Sequence, residues 1–189
     1  MREAPPIASP SACVTRGSYG PGVRRVLILA VVALAACRGA AAPALPPGQG
    51  TIVRVIDGDT VVVRINGVDE HVRLIGIDTP ETKKPDHPVE CYGVEASRRA
   101  AEILPIGTVV RLERDVEARD RYDRLLAYLY RVRDGAFVQR ELLAEGMADT
   151  LVIQPNVAHE ADLGAAAAAA RGAGLGLWTA CGGNHVTPG

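Results

Sequence analysis

The chain has 189 residues, with 21 Lys and Arg against 22 Asp and Glu and a formal net charge of −1. This excludes a protein that coats nucleic acid through overall basicity and confines any such contact to a local patch. The length suffices for one domain with a hydrophobic core plus terminal sequence. From residue 51 onward the balance turns acidic, at 16 basic against 21 acidic side chains.

Residues 1–22 carry Pro, Ser and Gly without periodicity and fit no export signal, so they read as an extension ahead of the true start. Arg24 and Arg25 then precede the apolar run VLILAVVALAA, residues 26–36. A positive segment, a short apolar segment and small residues make a secretory signal over 23–37, and its 11 apolar residues fall short of the roughly 18 a membrane-spanning helix needs. LAAC, ending at Cys37, resembles the lipobox of bacterial lipoproteins; the competing reading is an ordinary signal whose cut falls near a cysteine. An Ala, Pro and Gly linker over 38–50 follows. The expected location is therefore the cell envelope through a lipid anchor on Cys37, or the exterior if the lipobox is not used. With Cys37 at the anchor and Cys13 in the leader, Cys91 and Cys181 remain for the folded part. An oxidising compartment favours a bridge between them, and two free thiols are the alternative.

The domain spans 51–181, with 182–189 as a tail. Residues 51–56 alternate as a strand, DGDT turns the chain, 60–65 is β-branched, Asn66-Gly67 signals a hairpin, and 70–77 makes a third strand. A polar loop over 79–90 is punctuated by Pro80, Pro85 and Pro88. A helix over 92–104 carries a stripe of Ala96, Ala100, Ile103 and Leu104. Strands over 108–113 and 124–130 flank the charged stretch RDVEARDRYD; helices over 138–145 and 157–171 follow, the last built on alanines. Three strands, a helix, two strands and two helices suit an α+β fold: a five-stranded Greek-key β-barrel of the OB type with about three α-helices.

Acidic residues gather at the ends of the first and third strands: Asp57 and Asp59 in VIDGDT, Asp78 and Glu81 in IDTPET. Carboxylates held close repel, so a cation should compensate them. Oxygen ligands from Asp59, Asp78 and a backbone carbonyl near Thr79 suit Ca²⁺ or Mg²⁺, and no His or Cys spacing suggests zinc. Arg73 lies five residues before Asp78, which places them on opposite faces of an ideal strand. Bringing them together requires a bulge or bend. With Arg124, Arg73 supplies guanidinium forks that match phosphate oxygens. Two arginines, a cation and a free carboxylate are the requirements of phosphodiester hydrolysis. Taken singly, each residue is a turn, a surface charge or a solvated loop residue; only the combination points to chemistry.

VIDGDTVVV, RLIGIDTPET, ECYGVEA, DRYDRLLAYLY, LLAEGMADT and GLGLW, in this order from residue 51 to 178, resemble the staphylococcal nuclease, or thermonuclease-like, family. The resemblance implies a Ca²⁺-dependent nuclease acting on DNA and RNA, leaving 3′-phosphate ends, and a monomer is expected. It implies Asp59 and Asp78 as calcium carboxylates, Thr79 as a carbonyl ligand and Asp57 as an acid near the ion. Glu81 takes the role of general base or water orienter, Arg73 and Arg124 stabilise the transition state, and Arg121 and Tyr122 hold a terminal phosphate. Two departures leave a competent site with weaker substrate binding as the expectation: Asp123 where the family has glycine, which weakens phosphate binding or changes the turn, and Leu151 where a base-contacting tyrosine is expected. A catalytically weak nucleic-acid-binding module is the alternative, as is an acidic cluster that only stabilises the fold through calcium.

Overall fold

The computed structural model describes residues 45–83 and 88–187. The extension, the signal segment with Cys37, linker residues 38–44 and loop residues 84–87 lie outside them. The first strand, β1 (Gln49–Asp57), begins two residues ahead of the expected domain start. β2 (Thr60–Ile65) and β3 (Val68–Leu74) complete a meander. Asn66 and Gly67 both take positive φ, 51° and 84°, the requirement of a tight hairpin whose twist matches its strands.

The third strand does not run to residue 77. It stops at Leu74, the chain bends through Gly76 at φ 84°, and β4 (Gly76–Asp78) departs to pair with β7 (Asp149–Leu151), a strand the sequence reading missed. A side chain at Gly76 would also meet Leu163 Cδ1 at 2.5 Å. Helix α1 (Gly93–Ile103) precedes β5 (Val109–Glu113) and β6 (Leu125–Arg131). The five longer strands close a barrel in the order β1-β2-β3-β6-β5, with β3 and β6 parallel and the other pairs antiparallel. The expected five-stranded barrel is thus present.

Where β3 leaves the barrel, the backbone of β6 loses a strand partner. Gln139, fully buried on α2 (Val138–Ala144), replaces it at Leu129, whose N donates to the glutamine Oε1 at 3.1 Å, while Nε2 donates at 3.0 Å to Ala127 O, which still accepts from Ile75 N at 3.1 Å. A buried peptide group without a partner costs about 1–3 kcal/mol, so this glutamine closes the barrel wall where the strand ends. Helix α3 (Glu160–Gly172) presents Leu163, Ala166, Ala167 and Ala170 as its buried face, the i, i+3, i+4, i+7 spacing of one helical stripe. A fourth helix of four residues, α4 (Leu177–Ala180), follows where the sequence suggested only a weakened end. Cys181 then forms a disulfide with Cys91, their Cα atoms 6.0 Å apart.

The core runs continuously from the barrel interior, with Ile52, Val61, Val63, Val72, Leu74, Val110 and Leu129, to Ile103 and Leu104 at the end of α1 and Leu142 and Leu143 of α2. This packing fixes the ends of β1, β3 and β6, and the candidate residues project from those ends.

Candidate active site

Strand register brings the acids to Arg73. In the β2–β3 ladder Thr60 faces Arg73, and Leu74 N donates to Asp59 O at 2.9 Å, so Asp59 lies across from the end of β3. Gly58 separates the two turn aspartates, where a Cβ would come within 2.6 Å of Thr79 Cγ2. Only glycine allows the turn to approach Thr79 this closely. Asp57 anchors the surroundings: its Oδ1 accepts from Gly58 N at 2.9 Å and from the Ser97 hydroxyl of α1, its Oδ2 from Thr82 N at 3.2 Å. Asp57 thereby ties β1, α1 and the acidic loop together.

Asp59 is buried. Its Oδ1 accepts from Thr60 Oγ1 at 2.9 Å, and its Oδ2 from Thr79 N at 3.1 Å and Thr79 Oγ1 at 3.2 Å. Burial pushes its carboxyl pKa up, against the opposing pull of Arg73 and these hydrogen bonds. A desolvated carboxylate of this kind is relieved by a positive charge.

The bend at Gly76 resolves the odd spacing of Arg73 and Asp78. The guanidinium, only 13% exposed, sits inside the bend: Nη1 donates to Leu74 O at 3.2 Å and Ile77 O at 2.9 Å, and Nη2 to Asp78 Oδ1 at 2.8 Å. Nη1 also lies 3.1 Å from Asp59 Oδ2. One cation therefore links Asp59 and Asp78. Among the described residues no group of three or more His, Cys, Asp or Glu has the spacing of a metal site. Two carboxylates beside the buried Thr79 nonetheless form a hard, oxygen-only donor set that fits a divalent cation completed by carbonyl or water oxygens.

Glu81 is turned to its own loop, its Oε1 accepting from Thr82 N at 2.9 Å and Lys83 N at 2.7 Å. Its backbone is held by Glu90, whose Oε2 accepts from Glu81 N at 2.8 Å while Glu90 N donates to Glu81 O at 2.9 Å.

Arg124 reaches the site from the turn before β6. The parallel register sets Val72 against Leu125, so Arg73 and Arg124 emerge at the same end of the barrel. Asp120, which sequence reasoning passed over, organises this turn. Its Oδ1 accepts from Tyr122 N and Arg124 N, each at 2.9 Å, and its Oδ2 from Arg124 Nε at 2.7 Å. Burial acts to raise the Asp120 pKa, but the Arg124 side chain and the two backbone N–H groups outweigh it and hold the carboxyl low. Asp123 adopts φ 63°, a conformation that glycine takes without strain. Its side chain is 87% exposed and lies 3.6 Å from Arg119, turned to a different arginine from the one expected to meet phosphate. Tyr122 stands between two cations, with Arg121 and Arg124 at 4.8 Å and 5.5 Å from its ring centroid.

Two concavities meet over Arg73, Tyr122 and Arg124. One, of about 560 Å³, is lined by Asp57, Asp59, Asp78, Thr79 and Glu81 together with the two arginines. The other, of about 440 Å³, has an apolar wall of Ile75, Ile77, Leu126, Leu151 and Ile153 and includes Arg121 at its edge. Every residue singled out in the sequence for phosphodiester chemistry thus lines one of two adjoining cavities.

The expected tail also enters the site. His185 Nε2 lies 2.6 Å from Asp78 Oδ2 and its Nδ1 2.9 Å from Glu90 Oε2, while Asn184 Nδ2 donates to Asp78 O at 3.2 Å. Burial works against charge on His185, but the Glu90 and Asp78 carboxylates prevail and raise its pKa. No local pattern in GGNHVTPG signals this return; only the cysteine pairing hinted that the terminus is held nearby.

Comparison with known proteins places these residues in context. A family model described as staphylococcal nuclease homologue matches residues 71–180, which include Arg73, Asp78, Glu81 and Arg124, while Asp57 and Asp59 lie ahead of the match. Endonuclease YncB of Bacillus subtilis strain 168 is 47% identical over 111 residues, covering 58% of this chain and 51% of that protein. The thermonuclease of Staphylococcus hyicus is 41% identical over 109 residues, 58% of this chain and 63% of the relative. The thermonuclease of Staphylococcus intermedius is 46% identical over 110 residues, 58% and 64%. The chain therefore spans between about half and just under two thirds of the length of these relatives. Since the family model covers more than half of its residues, the chain belongs to the staphylococcal nuclease homologue family.

Proposed function

We propose that the chain is a calcium-dependent phosphodiesterase that hydrolyses DNA and RNA to products with 3′-phosphate ends. The observation that carries this reading is the convergence of Asp59, Asp78, Glu81, Arg73 and Arg124 on one cavity. The relatives' names, endonuclease and thermonuclease, support nucleic acid as the substrate. Asp59 and Asp78, with the carbonyl of Thr79, would hold the cation, which when bound supplies a positive charge to the reacting phosphate. Arg124, its Nε edge fixed by Asp120, clasps a phosphoryl oxygen. Arg73, beside the acids, lines the same cavity and with Arg124 stabilises charge developing on phosphorus. Glu81 orients the attacking water and accepts its proton. The new bond joins water oxygen to phosphorus, the bond to the 5′ oxygen breaks, and that oxygen takes a proton from solvent. Arg121 and Tyr122 receive a terminal phosphate, and the apolar wall with Leu151 faces a base without an aromatic stack. Such stacking contributes roughly 1–3 kcal/mol per base, so weaker substrate binding follows.

Release of acid-soluble nucleotides from single-stranded DNA tests the reading. Activity in calcium that falls on Glu81→Gln and Arg124→Ala supports it; unchanged turnover in both variants, or binding without turnover in the parent, refutes it. We further propose that the protein is exported and works as a monomer, anchored through Cys37 or secreted. The Cys91–Cys181 disulfide supports an oxidising compartment, and among the described residues no helix is long and apolar enough to cross a membrane. Mass analysis of the mature N-terminus decides between a lipid on Cys37 and simple cleavage.

A further inference from the structure

We infer that residues 182–186 form a clamp on the acidic side of the site and that His185 is its positioning residue. The functional meaning of the clamp rests on the phosphodiesterase reading above. The disulfide joins Cys181 to Cys91 across 90 residues of sequence, and just beyond it Cys91 N donates to Val186 O at 2.8 Å. Between these two anchors, Asn184 holds the backbone carbonyl of Asp78 and His185 bridges the Asp78 and Glu90 side chains. The Glu90 oxygen that meets His185 is the same Oε2 that accepts from Glu81 N. A continuous run of contacts therefore leads from the disulfide to both Asp78 and the backbone of Glu81. His185 itself takes φ 57°, uncommon for a residue with a side chain and sustained where the surroundings fix it.

The geometry is that of a support and not of a plug. Each carboxylate oxygen has two lone pairs, so Asp78 Oδ2 can serve His185 and still face a cation. The tail also grips the Asp78 carbonyl, which obstruction of the carboxylate would not require. With Arg73 on Oδ1 and His185 on Oδ2, the Asp78 carboxylate has its rotation fixed from both sides. Partners of metal ligands at this remove typically alter metal affinity 10- to 100-fold when lost.

The test is calcium binding by calorimetry, without substrate, on the oxidised full-length protein, together with amide hydrogen exchange at Glu81 in the metal-free form. His185→Ala should weaken calcium binding about tenfold and speed Glu81 exchange. His185→Gln, whose amide nitrogen retains two N–H donors, should restore affinity to within about threefold of the parent. The pair Cys91→Ser with Cys181→Ser should behave like His185→Ala. Unchanged affinity and exchange in both the alanine and the serine proteins would overturn the clamp, and tighter binding in His185→Ala would show that His185 obstructs the cation. If the parent binds no calcium, the calcium reading fails by itself. Glu81 exchange then decides the clamp alone, for it if His185→Ala accelerates exchange and against it if exchange is unchanged.

Discussion

The two halves of the site are built in opposite ways. The acidic half, Asp57 to Asp59 and Asp78 to Glu81, rests on strand ends and is reinforced by Thr79, Arg73, Ser97 and the returning tail. The basic half is one turn whose tyrosine is 64% exposed and whose arginine is held chiefly by one aspartate. The same residue type responds oppositely in the two: burial prevails at Asp59 and raises its pKa, while hydrogen bonds prevail at Asp120 and lower it. The difference lies in burial and not in the supply of donors: Asp59 meets Thr60, Thr79 and Arg73, as Asp120 meets Arg124 and two backbone N–H groups, but Asp59 is the more deeply buried of the two.

Arg73→Ala should break this contrast most severely. It removes the cation shared by Asp59 and Asp78, and uncompensated buried charge costs about 3–5 kcal/mol. Arg124→Ala should lose turnover about 10²–10³-fold, with a smaller fall in melting temperature than Arg73→Ala because Asp120 keeps its two backbone donors. Thermal melts beside kinetics separate the two, and equal destabilisation would erase the distinction. Gln139→Leu tests whether the departure of β4 depends on a substitute partner: leaving Leu129 N unpaired should cost about 1–3 kcal/mol in denaturant titration, with turnover reduced only as far as the β3 end loosens.

Asp120→Asn sharpens the basic half through pH. The folded-state pKa of Asp120 is depressed, so its stabilisation is present above the unfolded value near about 3.9 and is lost as pH falls through the lower folded value. The variant should therefore melt lower at neutral pH and show a shallower acid decline below about pH 4. Parallel melting curves for the two proteins across that range would contradict this. Asp123→Gly should have the smallest effect. Relief of the positive φ favours glycine by up to about 1 kcal/mol, and turnover should stay within about twofold because the carboxylate faces Arg119. A large rise in turnover would mean that Asp123 does repel the substrate phosphate.

The barrel was legible because alternation, the Asn-Gly hairpin and strand length are local signals. The bend between β3 and β4 was foreshadowed only by the five-residue separation of Arg73 and Asp78, and its partner β7 is three residues long, too short for periodicity to reveal. Asp59, Asp78, Glu81 and the arginines stood out only in combination, as acids gathered at two strand ends beside arginines within the motifs VIDGDT, RLIGIDTPET and DRYDR. Asp120, Glu90 and His185 did not, since each acquires its role from a contact set by the fold, in the case of His185 across 107 residues from Asp78. Gln139 was invisible for a related reason: only a structure shows that β6, paired with β5 at Leu129, has no strand there on its β3 side.

The decisive measurement is hydrolysis of single-stranded DNA by the purified protein in calcium, magnesium or chelator, with the chemistry of the new ends determined. Cleavage in calcium that stops with chelator and yields 3′-phosphate and 5′-hydroxyl ends is the expected result. Cleavage undiminished by chelator, or the opposite end chemistry, would contradict the assignment of Asp59 and Asp78 to a cation and of Glu81 to the attacking water.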